Sequence, residues 1–185
     1  MLIAFNKPYG VICQFSPSGN KPTLKRFIDV ANVYPAGRLD TDSEGLLLLT
    51  DDGTLQARIA NPSRRVAKTY WAQVEGVATP AHLDALRAPL DLGDFIASPA
   101  LAARQIAPPD VWERHPPVRY RATIPTSWLE LTIAEGKNRQ VRRMTANVGL
   151  PTLRLIRVGI GAIDLMRLGI PVGGWQETAP NDVFG

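Results

Sequence analysis

A single cysteine, Cys13, stands in 185 residues, so no internal disulfide can form and no cysteine-rich zinc site can be built. Histidine is nearly as scarce. His82 and His115 are the only two, and neither has a ligand-like neighbourhood, so no metal site is expected. No apolar run approaches the ~20 residues that a membrane-spanning helix needs. The opening stretch, MLIAFNKPYG, turns polar too soon for a secretory signal. These absences together read as a cytoplasmic chain with no membrane partner. Also missing are a glycine-rich phosphate loop, an internal repeat and any low-complexity tract.

What remains is enough for a real core. Apolar residues make up 45% of the chain, and at this length roughly 70% of the unfolded surface can be buried. Residues 1–185 therefore read as one catalytic-sized domain, or two closely joined lobes. Lys and Arg number 21 against 17 acids, a net charge of +4. The distribution says more than the sum. From Glu135 to Arg157 the charges are Lys137, Arg139, Arg142, Arg143, Arg154 and Arg157, with Glu135 the only acid. Asp40, Asp42, Glu44, Asp51 and Asp52 crowd one early stretch. A positive surface and a cluster of carboxylates suit an enzyme that grips phosphates, although unrelated solvated faces give the same pattern.

Periodicity predicts strands over residues 2–6, 46–49, 69–75, 129–133 and 153–160, and helices over 25–31, 55–60, 80–87 and 138–148. Asn138 is the expected cap of the last helix, placing Arg139, Arg142 and Arg143 on one face at i, i+3 and i+4. Between the strands, residues 108–127 carry five prolines and form a long excursion. Many strands with few, irregularly spaced helices point to an α+β fold with a mostly antiparallel sheet.

Two segments exceed what packing requires. One is Ala36-Gly37-Arg38-Leu39-Asp40-Thr41-Asp42-Ser43-Glu44-Gly45 running into Leu46-Leu47-Leu48-Leu49-Thr50; the other is Glu135-Gly136-Lys137-Asn138-Arg139-Gln140-Val141-Arg142-Arg143-Met144. With Asn6-Lys7-Pro8-Tyr9-Gly10, Lys68-Thr69-Tyr70 and Leu153-Arg154-Leu155-Ile156-Arg157, they resemble the pseudouridine synthases typified by the small-subunit ribosomal enzyme. Phe5-Asn6-Lys7-Pro8-Tyr9 and Ile124-Pro125-Thr126-Ser127-Trp128-Leu129 bring the likeness nearest to a large-subunit branch of that family. Most members carry an N-terminal S4-type RNA-binding domain; here the catalytic pattern starts at residue 2, as it does in that branch.

The resemblance implies a pseudouridine synthase fold: a mostly antiparallel mixed sheet flanked by helices around a catalytic cleft. It implies the isomerisation of a uridine in ribosomal RNA, most readily 23S rRNA or a large-subunit assembly intermediate, with another rRNA site or a tRNA as the alternative; a monomer is the default for an enzyme that must approach so large a particle. It implies Asp40 as the catalytic carboxylate, Tyr70 as the aromatic that stacks on an extruded base, and Arg142 as the cation that keeps the carboxylate ionised. Arg38, Lys137, Arg139 and Arg143 become candidate RNA contacts. The isomerisation involves no redox change and no group donor, so no cofactor is expected. Without the resemblance, Tyr70 on an alternating strand is more often a core residue than a ligand contact, and Asp40 with Glu44 could serve a glycosidic hydrolase. A non-catalytic RNA-binding assembly protein is the third reading.

Overall fold

The computed structural model describes residues 1–184. In chain order the elements are β1 (Leu2–Lys7), β2 (Tyr34–Pro35), β3 (Glu44–Thr50), α1 (Gly53–Ala60), β4 (Lys68–Glu75), α2 (Pro80–Leu86), β5 (Leu90–Asp91) and β6 (Ile96–Ala97). They continue with β7 (Ala102–Ile106), β8 (Thr126–Ile133), α3 (Gln140–Asn147), β9 (Thr152–Ile160), β10 (Ile163–Asp164), α4 (Leu165–Leu168), β11 (Trp175–Glu177) and α5 (Asn181–Phe184). The chain divides into two compact units, residues 1–66 with 156–185, and residues 67–155.

In the first unit β1 lies between β11 and β3, antiparallel to both. The far end of β3 pairs in parallel with β9, at Glu44 with Ile156 and Gly45 with Arg157, so the sheet is mixed. Leu46 to Leu49 are all fully buried, and so are Ile3, Ala4 and Phe5 on the neighbouring strand. A strand buried on both faces reads as a continuous apolar run rather than an alternation. After β3 the chain turns at Asp52, whose carboxylate accepts from the amides of Thr54 and Leu55 and starts α1.

The second unit is built on β4, β8 and β7, antiparallel in that order. Along β4, Tyr70, Ala72 and Val74 face the core and the intervening residues are half-buried, the period-two pattern expected of a sheet with one covered face. A small hairpin, β5 with β6, precedes β7.

Two predicted helices change. Residues 25–31 supply only a single 3₁₀ turn, Leu24–Arg26, because β-branched Ile28 and Val30 follow and Ile28 is drawn into the core. The helix expected from Asn138 begins instead at Gln140. Arg139 sits in the left-handed region at φ 53° and serves as the N-cap residue, outside the helix. The proline-rich excursion has no regular element from Ala107 to Pro125. The two-residue strands and the C-terminal elements β10, α4, β11 and α5 are too short to show a period.

Candidate active site

In the first unit, the loop carrying Asp40 is fixed through its backbone. Four consecutive carbonyls are each engaged from a different part of the chain. Arg157 Nη1 donates to the carbonyl of Arg38 at 3.2 Å, and the Cys13 thiol donates to that of Leu39 at 3.0 Å. The amide of Ser43 donates to the carbonyl of Asp40 at 3.0 Å, closing a turn. The carbonyl of Thr41 accepts from the Gly10 amide at 2.8 Å and from Lys7 Nζ at 3.4 Å. The side chain of Leu39, 7% exposed, anchors the loop to the core, whereas Asp40 is half-buried and Arg38 is exposed. A functional carboxylate needs this kind of support, since misplacement by about 1 Å can cost on the order of a hundredfold in rate. A cavity of about 380 Å³ lined by Cys13, Gln14, Pro35, Gly37 and Arg38 opens beside the loop.

Two of those donors are buried cations. Arg157 is 2% exposed and also donates Nε to the carbonyl of Leu46 at 2.8 Å, tying the loop to β3. Lys7 is fully buried and donates to the carbonyls of Pro8 and Val11, both at 2.9 Å. Burial pushes its ammonium down from the ordinary 10.5 to about 8, with Arg157 adding to the effect and Cys13, Glu44 and Asp42 opposing it. The positive surface expected from Arg154 and Arg157 is therefore corrected. Arg154 is 6% exposed, and both arginines spend their charge inside the protein on main-chain oxygens. Gly45 makes the arrangement sterically possible. Its φ is +99°, and a Cβ there would lie 2.3 Å from the carbonyl oxygen of Arg157.

The second unit holds Tyr70, Lys137, Arg139, Arg142 and Arg143. Tyr70 is 7% exposed and stands opposite Leu131 on β8. Its neighbour Trp71 faces the other way and donates Nε1 to Glu130 at 2.9 Å. The turn into α3 is shaped by Glu135 and Gln140. Ser98 donates to Glu135 through its amide and its hydroxyl, and Gln140 Nε2 donates to the same carboxylate at 2.6 Å. Gln140 Oε1 accepts the Lys137 amide at 3.1 Å. Burial works against the charge on Glu135, yet these hydrogen bonds hold its carboxyl below the usual range.

Lys137 and Arg139 are exposed, and Arg142 is half-buried on the first turn of α3. Arg143 is already engaged. It is paired with Asp94, donates Nη2 to the carbonyl of Leu92 at 2.8 Å, and lies 4.9 Å from the centre of the Phe95 ring. Lys137 Nζ lies 4.6 Å from the centre of that ring. The arginine face expected at i, i+3 and i+4 is thus broken, with Arg139 outside the helix and Arg143 turned to the 90–97 hairpin. Sequence reasoning missed Lys7, Cys13, Glu135 and Arg157 as supports. A readable signal existed for two of them, since Lys7 is the single charge of the apolar β1 and Arg157 is one of two charges in the otherwise largely apolar β9.

No group of three or more potential metal-ligating side chains converges among the described residues. No helix among them is long and apolar enough to cross a membrane. Residues 1–147 match the RNA pseudouridylate synthase family. This chain belongs to that family. It is similar to the ribosomal large subunit pseudouridine synthase E of Vibrio vulnificus, 52% identical over 176 residues that cover 95% of this chain and 74% of the relative. The protein of the same name from Xanthomonas campestris pv. campestris is 55% identical over 178 residues, covering 95% of this chain and 94% of the relative. Among solved structures, a crystal structure of a pseudouridylate synthase superposes with a TM-score of 0.79 at 27% identity, covering 98% of this chain and 71% of that one. The fold is that of the pseudouridine synthases, and no S4-type region lies within the chain. A synthase of this family is an intramolecular isomerase: uridine and pseudouridine have the same atoms, joined differently.

Proposed function

We propose that this synthase converts one uridine of large-subunit ribosomal RNA, 23S rRNA, to pseudouridine, with Asp40 as the catalytic carboxylate. The observation that carries the reading is identity above 50%, over most of the chain, with ribosomal large subunit pseudouridine synthases of the E type. The clamped backbone around Asp40 supports the assignment, because positioning contributes to rate only when the reactive group is held before substrate arrives. In the reaction the bond between N1 of uracil and C1′ of ribose breaks. The base rotates and C5 bonds to C1′, the C5 proton is lost, and N1 regains a proton. Asp40 acts as a nucleophile on the sugar or base, or as a base towards a sugar proton.

Tyr70 supplies the aromatic face for the extruded base, a contact worth roughly 1–3 kcal/mol. Arg142 supplies a permanent positive charge that favours the ionised carboxylate. Arg38, Lys137 and Arg139 contact phosphates from exposed positions; Arg143 does so with a guanidinium it shares with Asp94. The enzyme works as a monomer in the cytoplasm.

A hydrolase pairing Asp40 with Glu44 is disfavoured by one observation. Glu44 is 1% exposed on β3, where a substrate cannot reach it. The test is incubation with unmodified large-subunit rRNA, followed by carbodiimide treatment and reverse transcription, with free uracil measured in parallel. A stop at one uridine without released base is expected. Released uracil, or no stop at all, overturns the reading. Asp40→Asn is expected to keep RNA affinity within about twofold while turnover falls by at least about a thousandfold; a variant near wild-type rate refutes the assignment of Asp40.

A further inference from the structure

We propose that the excursion from Ala107 to Pro125 is an RNA-holding arm, with Tyr120 stacking on an unpaired base of the substrate RNA and Arg119 and Arg121 holding the flanking phosphates. The inference rests on the function proposed above and adds to it a second hold on the RNA strand, outside the loop that carries Asp40. The segment has no regular secondary structure, yet its root is anchored by side chains spent on main-chain oxygens. Arg154, buried in β9, donates Nη2 to the carbonyl of Trp112 at 2.8 Å, with its guanidinium 5.9 Å from the centre of that indole. Arg114 gathers three carbonyls, those of Leu153 at 3.3 Å, Pro116 at 2.9 Å and Pro117 at 3.0 Å. At the other end the Gly76 amide donates to the carbonyl of Pro125 at 2.7 Å.

Such anchoring contrasts with the tip. Tyr120 is 83% exposed, the highest value among the large hydrophobic side chains exposed in the described structure. Arg119 before it is exposed. Arg121 after it keeps 41% of its side chain in solvent while lying 3.7 Å from Glu75. A fold that fixes the base of a loop with two arginines and leaves an aromatic ring uncovered between two more has built a presenting element, since a loop needed only to connect β7 to β8 requires neither. The chemistry at the tip selects the partner. A ring face accepts any base by stacking, and two guanidiniums flanking it match successive phosphates of a single strand. An apolar protein surface would cover the ring but offer the exposed guanidinium of Arg119 no counter-charge.

The experiment uses the full chain carrying Asp40→Asn for binding and the otherwise wild-type chain for turnover. Tyr120→Ala is expected to raise the Kd for an rRNA fragment containing the target by about tenfold, and Tyr120→Trp to restore it. Arg119→Ala is expected to lower the slope of log affinity against log salt by about 0.7, the value for one single-strand phosphate contact. Turnover at saturating RNA should stay within about twofold, placing the effect in KM. Matching thermal melts would show that the fold is untouched. Unchanged Kd, KM and salt slope in an active enzyme overturn the arm while leaving the proposed function standing. The arm is equally overturned if naked rRNA binds normally and only ribosomal-protein-containing particles are lost, because the partner is then a protein. Absence of pseudouridine formation by the wild-type chain, read first, brings down the function itself and the arm with it.

Discussion

Lys7 makes the most searching test of the loop-clamp argument, because its charge can be removed by pH as well as by mutation. The side chain is fully buried and holds the carbonyls of Pro8, Val11 and Thr41. Burial lowers its pKa from 10.5 to about 8, which corresponds to roughly 3 kcal/mol of preference for the neutral amine in the folded state. Below about pH 8 both folded and unfolded chains carry the proton, and the folded state bears the full burial cost. Between about pH 8 and about pH 10.5 the unfolded chain keeps a proton that the folded chain has released, so stability from this group rises with pH. The neutral amine still has two N–H groups for the two 2.9 Å bonds. The contact it surrenders is the 3.4 Å one to Thr41, whose carbonyl retains the Gly10 amide. Urea unfolding followed by tryptophan fluorescence gives the measurement. The stability difference between the Lys7 protein and its Lys7→Met variant should grow by about 2 kcal/mol from about pH 8 to about pH 10. Parallel profiles across that window would refute the buried-ammonium account.

Other perturbations bear on the same site. Gly45→Ala should lose more than about 3 kcal/mol or fail to fold, because its Cβ meets the Arg157 carbonyl and φ is left-handed; a soluble, fully stable variant would contradict the strand contact. Arg157→Lys keeps the charge but cannot span the carbonyls of Leu46 and Arg38. It should reduce kcat by at least about tenfold with KM within about twofold, read from single-turnover kinetics, whereas an unchanged kcat would make the guanidinium a packing residue only. Asp52→Ala should cost about 1 kcal/mol in denaturant unfolding through loss of the α1 cap and leave activity intact.

The parts of this structure that a reader of the sequence can find are those with a local cause. The apolar run of β3, the alternation along β4 and the Thr79-Pro80 start of α2 all follow from neighbours within a few residues. The excursion announces itself through its prolines. What stays hidden depends on distant partners. Arg157 looks like one more basic residue on a positive strand until β3 is laid beside β9 and its guanidinium is seen to close on Leu46 and Arg38. Cys13 looks inert until it meets Leu39. The start of α3 is displaced by Gln140, which folds back to Glu135 and the Lys137 amide and leaves Arg139 to turn the chain. A capping rule applied to Asn138 has no access to that contact.

A backbone whose every oxygen from Arg38 to Thr41 is spoken for has no slack to lend a substrate. Whatever bending the encounter demands must come from the nucleic acid. Uridines with weakly stacked neighbours are then the ones most readily drawn out. On the proposed function, stiffness in one short stretch of protein leaves the work of unstacking to the RNA.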